Sequence, residues 1–290
     1  MKVTFWGVRG SLPVPAPHVT RYGGNTPCVE LSADHGSILI DAGTGIRAAG
    51  DALLARGQSE IHLLLSHTHW DHIQGLPHFA PLYQAGCRLT IHGPRIPERS
   101  LREILSRQQE PAFFPVTLDK TGAEVRIEEL EDGDRLECAG LQVTARRLNH
   151  PGVTLGYRVE AGGRAAAYLC DVDLSGNLLL GEGMTSGPSE TEGEWRERLE
   201  TAYRDLAHHA DLLICDTFFT PEEYKPDWGH SRIEDALRLA ASLQVRRLAL
   251  FHHQPQRTDA ELAALLAQCR AQAPAGLEVI AAAEGMEVVC

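Results

Sequence analysis

The chain has 290 residues, 43% hydrophobic and 23% charged, enough to bury a substantial core in one large or two small domains. A net charge of −12 argues against a broad electrostatic grip on nucleic-acid backbones, although bound metals can invert the field locally for a small anionic substrate. Seven cysteines without CxxC spacing, no apolar run in Met1–Ser11 and no stretch able to span a bilayer predict a reduced, cytoplasmic, membrane-free protein.

Met1 to Val8 alternates apolar and polar residues, which predicts a first strand. A Gly/Pro-rich loop from Gly7 to Pro17 leads to Gly23-Gly24-Asn25. Cys28–Leu31 and Ser37–Ile40 read as a hairpin ending at Asp41-Ala42-Gly43-Thr44-Gly45. That turn lacks the GxGxxG spacing and the βαβ context of a phosphate cradle. A helix rich in small residues is expected over Ile46–Gly57.

Ile61–Leu65 is an apolar run of strand length, and His67-Thr68-His69-Trp70-Asp71-His72 follows it directly. Neutral imidazoles and a carboxylate suit a borderline-soft dication such as zinc. In an extended turn His67 and His69 can reach one metal while Asp71 and His72 swing round to a second. The plain alternative is a solvated histidine-rich loop.

HxHxDH after a buried strand resembles the signature of the metallo-β-lactamase superfamily. The resemblance runs nearly end to end, and later motifs narrow it to the phosphodiesterase branch that includes ribonuclease Z. It implies an α/β (α+β) fold, a four-layer αββα sandwich spanning 1–290 as one domain. It further implies a site for two divalent metal ions, zinc or else manganese or iron, with the Asp41–Gly45 turn supporting them. Gly23-Gly24-Asn25 either lines the pocket or forms an ordinary turn.

A helix is expected from His72 to about Ala85, then a strand over Cys87–His92. Within 94–115, Leu101, Ile104 and Leu105 fall at helical spacing before Phe113-Phe114. This segment is either an amphipathic helix packed on the body or a cap whose aromatics shape an opening. The long basic arm with which ribonuclease Z enzymes hold tRNA has no recognisable counterpart, so tRNA is not the expected partner.

Val125–Leu130 and Leu141–Leu148 read as strands, the second ending at Asn149-His150-Pro151-Gly152. A strand-end histidine is often only a hydrogen-bonded core residue, but Thr154–Arg158 also matches the family's third metal motif, which makes His150 a ligand. The strand Ala165–Cys170 delivers Asp171. Two close metals need a bridging anion, and Asp171 matches the family's bridging position. Asp173 is its near neighbour, a supporting or helix-capping residue. The stretch 174–200, rich in Gly, Ser and Glu, predicts a mobile insertion, with Trp195, Leu199 and Leu206 marking a helix that resumes before Ala210.

Asp211–Cys215 is an apolar strand ending at Asp216, and Gly229-His230-Ser231 follows a loop. Ser231 with Glu234 predicts a capping box. The GHS element resembles the ribonuclease Z motif whose histidine donates a proton, oriented by a carboxylate that is usually Glu. Asp216 stands in that place, one methylene shorter, and His230 could instead be merely a neighbour of the helix N-cap. Val245–Phe251 forms another strand before His252-His253, and strand alternation lets only one of the pair, His252, face the metals. Thr258 with Glu261 predicts another capping box. Leu277–Ile280 and Met286–Val289 are expected to close the second sheet.

The resemblance thus implies one metal on His67, His69 and His150, and another on Asp71, His72 and His252, with Asp171 bridging. Asp71, His230 and Asp216 form the implied catalytic set. The reaction expected is hydrolysis of a small anionic phosphodiester, a cyclic nucleotide or short nucleotide diester. The alternatives are thioester or lactone hydrolysis on the same metals, or a metal-binding sensor without turnover. A homodimer is compatible with the sequence.

Overall fold

The computed structural model describes residues 1–33, 36–176, 178 and 191–290. The first of two seven-stranded sheets contains β1 (Lys2–Gly7), β2 (Cys28–Ala33), β3 (Gly36–Ile40), β4 (Glu60–Leu64), β5 (Arg88–Pro94) and β6 (Glu124–Leu130) in that spatial order. The second contains β7 (Arg135–Cys138), β8 (Leu141–Arg147), β9 (Leu155–Ala161), β10 (Arg164–Leu169), β11 (Leu212–Asp216), β12 (Arg247–Phe251) and β13 (Glu278–Ala281). The seventh strand of the first sheet is β14 (Glu287–Val289), which pairs antiparallel with β1 through Val3 and Val288. That corrects the expectation for Met286–Val289. Alternation marks a strand but not an edge, and the open edge of β1 takes this one.

Each sheet is antiparallel in one half and parallel in the other. The parallel runs are β3 to β6 and β10 to β13. Parallel strands are covered on both faces, so they read as unbroken apolar runs such as Leu212-Leu213-Ile214-Cys215. Alternate residues then divide between two layers. Ile214 and Phe251 meet Phe5, Ile38 and Leu64 between the sheets. Leu213, Leu248 and Leu250 face outward under Leu206, Ala236 and Leu262. These come from α4 (Glu192–Ala207), α5 (Ile233–Ser242) and α6 (Asp259–Gln272). On the far side Leu39, Ile61 and Leu63 lie under Ile46, Ala49 and Leu53 of α1 (Ile46–Ala55) and Leu101 and Leu105 of α3 (Leu101–Gln108). The layers therefore stack α, β, β, α.

Local signals decide several details. The Thr258–Glu261 capping box forms, with Glu261 Oε2 accepting from Thr258 N at 2.7 Å. An equivalent box at Thr191 and Glu194 opens α4, so the end of the 174–200 stretch is helix. The glycine-rich runs Gly181-Glu182-Gly183 and Gly187–Glu190 lie outside the described residues. The box expected at Ser231 does not form. Arg232 is the N-cap, and the Ser231 hydroxyl instead donates to Val172 O at 2.5 Å and accepts from Leu174 N at 3.3 Å. Nor is there one helix from His72 to Ala85. Pro77 and Pro81 remove donors and clash with the preceding turn, leaving one turn, α2 (Trp70–Ile73), and 3-10 turns at Leu76–His78 and Ala80–Tyr83.

Candidate metal centre

The site forms where the parallel strands of both sheets end. Asp41 follows β3, Ser66 to His72 follow β4, Asp171 follows β10 and His252 follows β12, while His150 follows β8. Asp41, Asp171 and His252 hold left-handed backbone, at φ of 63°, 55° and 59°. Such conformations cost about 1–3 kcal/mol each and persist where surrounding structure over-determines them.

His67, His69, His150 and Asp171 converge so that one donor atom of each lies within 4.8 Å of the others. His72, His252 and Asp171 form a second such group with Cys170. Asp171 spans both groups. Its Oδ2 lies 3.6 Å from His67 Nε2 and from His150 Nε2, and its Oδ1 lies 3.1 Å from His72 Nε2 and from His252 Nε2. Asp71 Oδ2 completes the second group, 3.4 Å from His72 Nε2 and 3.1 Å from His252 Nε2. Every sequence-predicted ligand therefore reaches one cluster.

The donor set fits divalent cations. His67 Nε2 and His72 Nε2 are buried and have no hydrogen-bond partner among the described residues, an expensive arrangement unless something else takes their lone pairs. Their other nitrogens are spoken for. His67 Nδ1 lies 3.0 Å from Ser66 Oγ, which itself donates to Asp41 Oδ2 at 2.9 Å, and His72 Nδ1 donates to Asp41 Oδ2 at 2.8 Å. His150 Nδ1 donates to Gly229 O at 2.7 Å. Each bond puts a proton on Nδ1 and turns Nε2 inward, toward the other donors.

Asp41 is the hub of this support. It also accepts from Ser66 N at 2.7 Å and from Tyr168 OH at 2.6 Å. Its turn grips the histidine loop through Ala42 N to His72 O at 2.7 Å and Gly75 N to Ala42 O at 2.8 Å. The individual roles of Asp41, Ser66 and Tyr168 were not read from the sequence. An aspartate at a strand end, opposite the histidine loop, was the only signal, and Tyr168 carried none.

Electrostatics follow the burial. Desolvation pushes His67 well below its ordinary value and His150 to about 3, so both are neutral lone-pair donors. Burial would raise the carboxylates and lower His72, but their mutual attraction wins. Asp171, Asp71 and Asp41 raise His72 well above its ordinary value, and His72 and His252 drive Asp71 and Asp171 well below theirs. A cation bound there would take the place of the His72 Nε2 proton. Cys170 is different. Burial pushes its thiol well up, and Sγ donates to Asp171 Oδ1 at 3.1 Å, as a thiol and not a thiolate ligand.

Two further positions are close-set. Gly10 packs against His252, where a Cβ would come within 2.6 Å of the ring. Gly229, at φ +77°, would place a Cβ 2.4 Å from His150 Nδ1. Beside Gly10, Ser11 N donates to Asp71 Oδ2 at 2.7 Å. Gly23-Gly24-Asn25 is a support and not a lining here. Gly23 O accepts from the buried Arg9 guanidinium at 2.8 and 3.1 Å, and Asn25 Nδ2 donates to Glu284 at 2.9 Å.

His230 stands next to the cluster, its ring centroid 5.4 Å from His150 and 5.1 Å from His252. Its Nδ1 donates to Asp216 Oδ2 at 2.7 Å, so the shorter carboxylate does reach. Asp216 is held in turn by Phe218 N at 3.0 Å and Val172 N at 3.3 Å. Burial opposes charge on His230, but Asp216, with Asp171 and Asp71, outweighs it and raises the imidazole to about 9. Asp173 is turned elsewhere, accepting from Tyr224 OH at 2.6 Å and Ser175 N at 2.7 Å. His253 also points away and donates to Ala282 O at 2.9 Å.

A cavity of about 310 Å³ opens against His67, Thr68 and His69. Ile96, Glu98, Arg99 and Ile104 also line it. The aromatics of the 94–115 segment take no part, since Phe114 packs on His78 and Phe113 faces solvent. No helix among the described residues is long and apolar enough to cross a membrane.

The two-sheet sandwich with this histidine–aspartate cluster defines a metal-dependent hydrolase. Residues 37–184 match the beta-lactamase superfamily domain. A ribonuclease Z of Archaeoglobus fulgidus is 25% identical over 283 residues, covering 87% of this chain and 86% of the relative. A ribonuclease Z of Lactobacillus gasseri is 30% identical over 227 residues, covering 68% of this chain and 71% of the relative. The crystal structure of the metallo-beta-lactamase fold protein YhfI from Bacillus subtilis superposes with a TM-score of 0.69. It spans 99% of this chain and 98% of that one at 17% identity. The chain belongs to the beta-lactamase superfamily.

Proposed function

We propose that the chain hydrolyses small phosphodiesters at a centre of two divalent ions, zinc before manganese or iron. His67, His69 and His150 would hold one ion, Asp71, His72 and His252 the other, with Asp171 between them. The chemistry that two ions there supply is Lewis acidity toward the phosphoryl oxygens and activation of a water nucleophile. Ser11 N and Asp41 keep Asp71, His67 and His72 aimed before substrate arrives.

The observation that carries the phosphodiester reading is the His230–Asp216 pair, 2.7 Å apart and at the edge of the cluster. With Nδ1–H held by Asp216 and the imidazole raised to about 9, His230 is charged at neutral pH and carries a proton on Nε2. Nε2 makes no hydrogen bond among the described residues, so that proton is available to a leaving oxygen. An alkoxide leaving phosphorus needs such a donor. A thiolate does not, so a thioesterase on the same metals gains little from this pair.

A second reading, cleavage of an RNA phosphodiester, is favoured by the relatives named ribonuclease Z, which align over most of their length. The net charge of −12 and the small cavity support the smaller substrate.

His230→Ala tests the role directly. It should keep its metals yet lose about 10²–10⁴-fold in kcat on a nucleotide diester, the usual worth of a general acid. On bis-p-nitrophenyl phosphate, whose leaving group departs without a proton, the loss should be slight. Equal losses on both substrates with metal intact would instead make His230 a phosphate-binding residue.

A further inference from the structure

The cavity beside His67 and His69 has a division of labour that the hydrolytic groups do not explain. Ile96, Ile104, Pro151 and Val153 give it an apolar lining. At about 310 Å³ it lies at the small end of ligand sites, which run from roughly 300 to 1,000 Å³. That is room for one nucleotide body.

Arg99 and Glu98 line the same space, and neither side chain makes an ion pair or hydrogen bond among the described residues. The contrast with Arg95 is informative. Four residues earlier, it lies 2.7 Å from Glu131 and 3.9 Å from Glu129. The Arg99 side chain has no such carboxylate partner among the described residues, and it lines the cavity. A guanidinium fork matches a phosphate in two-point geometry, and a carboxylate beside it accepts from an amino group on a base edge.

We propose that this cavity selects a nucleotide diester bearing a second, terminal phosphate. The nucleoside lies against the apolar lining of Ile96, Ile104, Pro151 and Val153, Arg99 grips the terminal phosphate, and Glu98 accepts from the base. This rests on the phosphodiesterase reading above and names the substrate class for it. Arg99 is then a specificity residue, acting on affinity and not on the bond-breaking step.

The test compares adenylyl-adenosine with and without a 5′-terminal phosphate. In the metal-loaded wild-type enzyme the phosphorylated form should show a KM lower by about tenfold or more, the worth of one charge-assisted contact. Arg99→Ala should erase that difference, leaving kcat within about twofold. Arg99→Lys should keep part of it, because it retains charge without the fork. Arg102→Ala, an exposed arginine that does not line the cavity, should change nothing.

Calorimetry on the metal-free chain separates this proposal from the hydrolytic one. AMP should bind more tightly than adenosine, and Arg99→Ala should remove the advantage, even if neither dinucleotide is turned over. A wild-type enzyme indifferent to the terminal phosphate, or a preference that survives Arg99→Ala in either measurement, overturns the assignment.

Discussion

Adjacent histidines at the end of β12 have opposite fates. His252 Nε2 lies 3.1 Å from both Asp71 and Asp171, whereas His253 donates to Ala282 O and burial holds it near 3, neutral and structural. His252→Ala should therefore lose metal and activity together, while elemental analysis of His253→Ala should find most of the metal retained. The reverse pattern would mean that the register of β12 is off by one. Asp216 invites a pH experiment. Because its charge and hydrogen bond raise His230 to about 9, the donor stays loaded below that pH, and kcat should fall as pH rises through it. Asp216→Asn removes the cause, so the alkaline limb should move to lower pH. An unmoved limb would assign that ionisation to another group. At this scale the sequence was informative wherever ligand chemistry is written locally, as in HTHWDH, and silent where contacts are long-range. Tyr168 reaches Asp41 across 127 positions, and no spacing rule announces such a pair.

Helix starts are set by a few residues, so they can be tested singly. Thr258 Oγ1 accepts from Glu261 N, and its own N–H is taken by the Glu261 carboxylate. Thr258→Ala should cost about 1 kcal/mol in denaturant unfolding, with kcat on the diester unchanged. A loss of activity at full stability would tie α6 to the site in a way the contacts do not. The box expected at Ser231 failed for an instructive reason. The pattern was present, but tertiary partners at Val172 and Leu174 claimed the hydroxyl first. That choice ties the loop after β10 to the loop carrying His230. Elements were legible in the sequence where the signal was local, as for α1, β11 and β12. Their limits blurred where prolines cut a helical pattern after His72, or where strand pairing was decided by a distant edge, as for β14.

Two half-parallel sheets bring their strand ends to one edge, and that edge gathers side chains from position 41 to position 252. The four-layer arrangement was expected from the family resemblance, because composition and periodicity fix neither the pairing of sheets nor their order. Placed there, the cluster answers two chemistries, phosphodiester cleavage and acyl hydrolysis, and under the proposed function the His230–Asp216 pair favours a diester over a thioester. The most direct measurement is kcat/KM of the zinc-loaded protein on a nucleotide diester set beside a thioester and a lactone. The diester should be favoured by at least about 100-fold, the lower end of what a general acid contributes, and chelation should abolish turnover. A thioester or lactone turned over as fast as the diester would contradict the account.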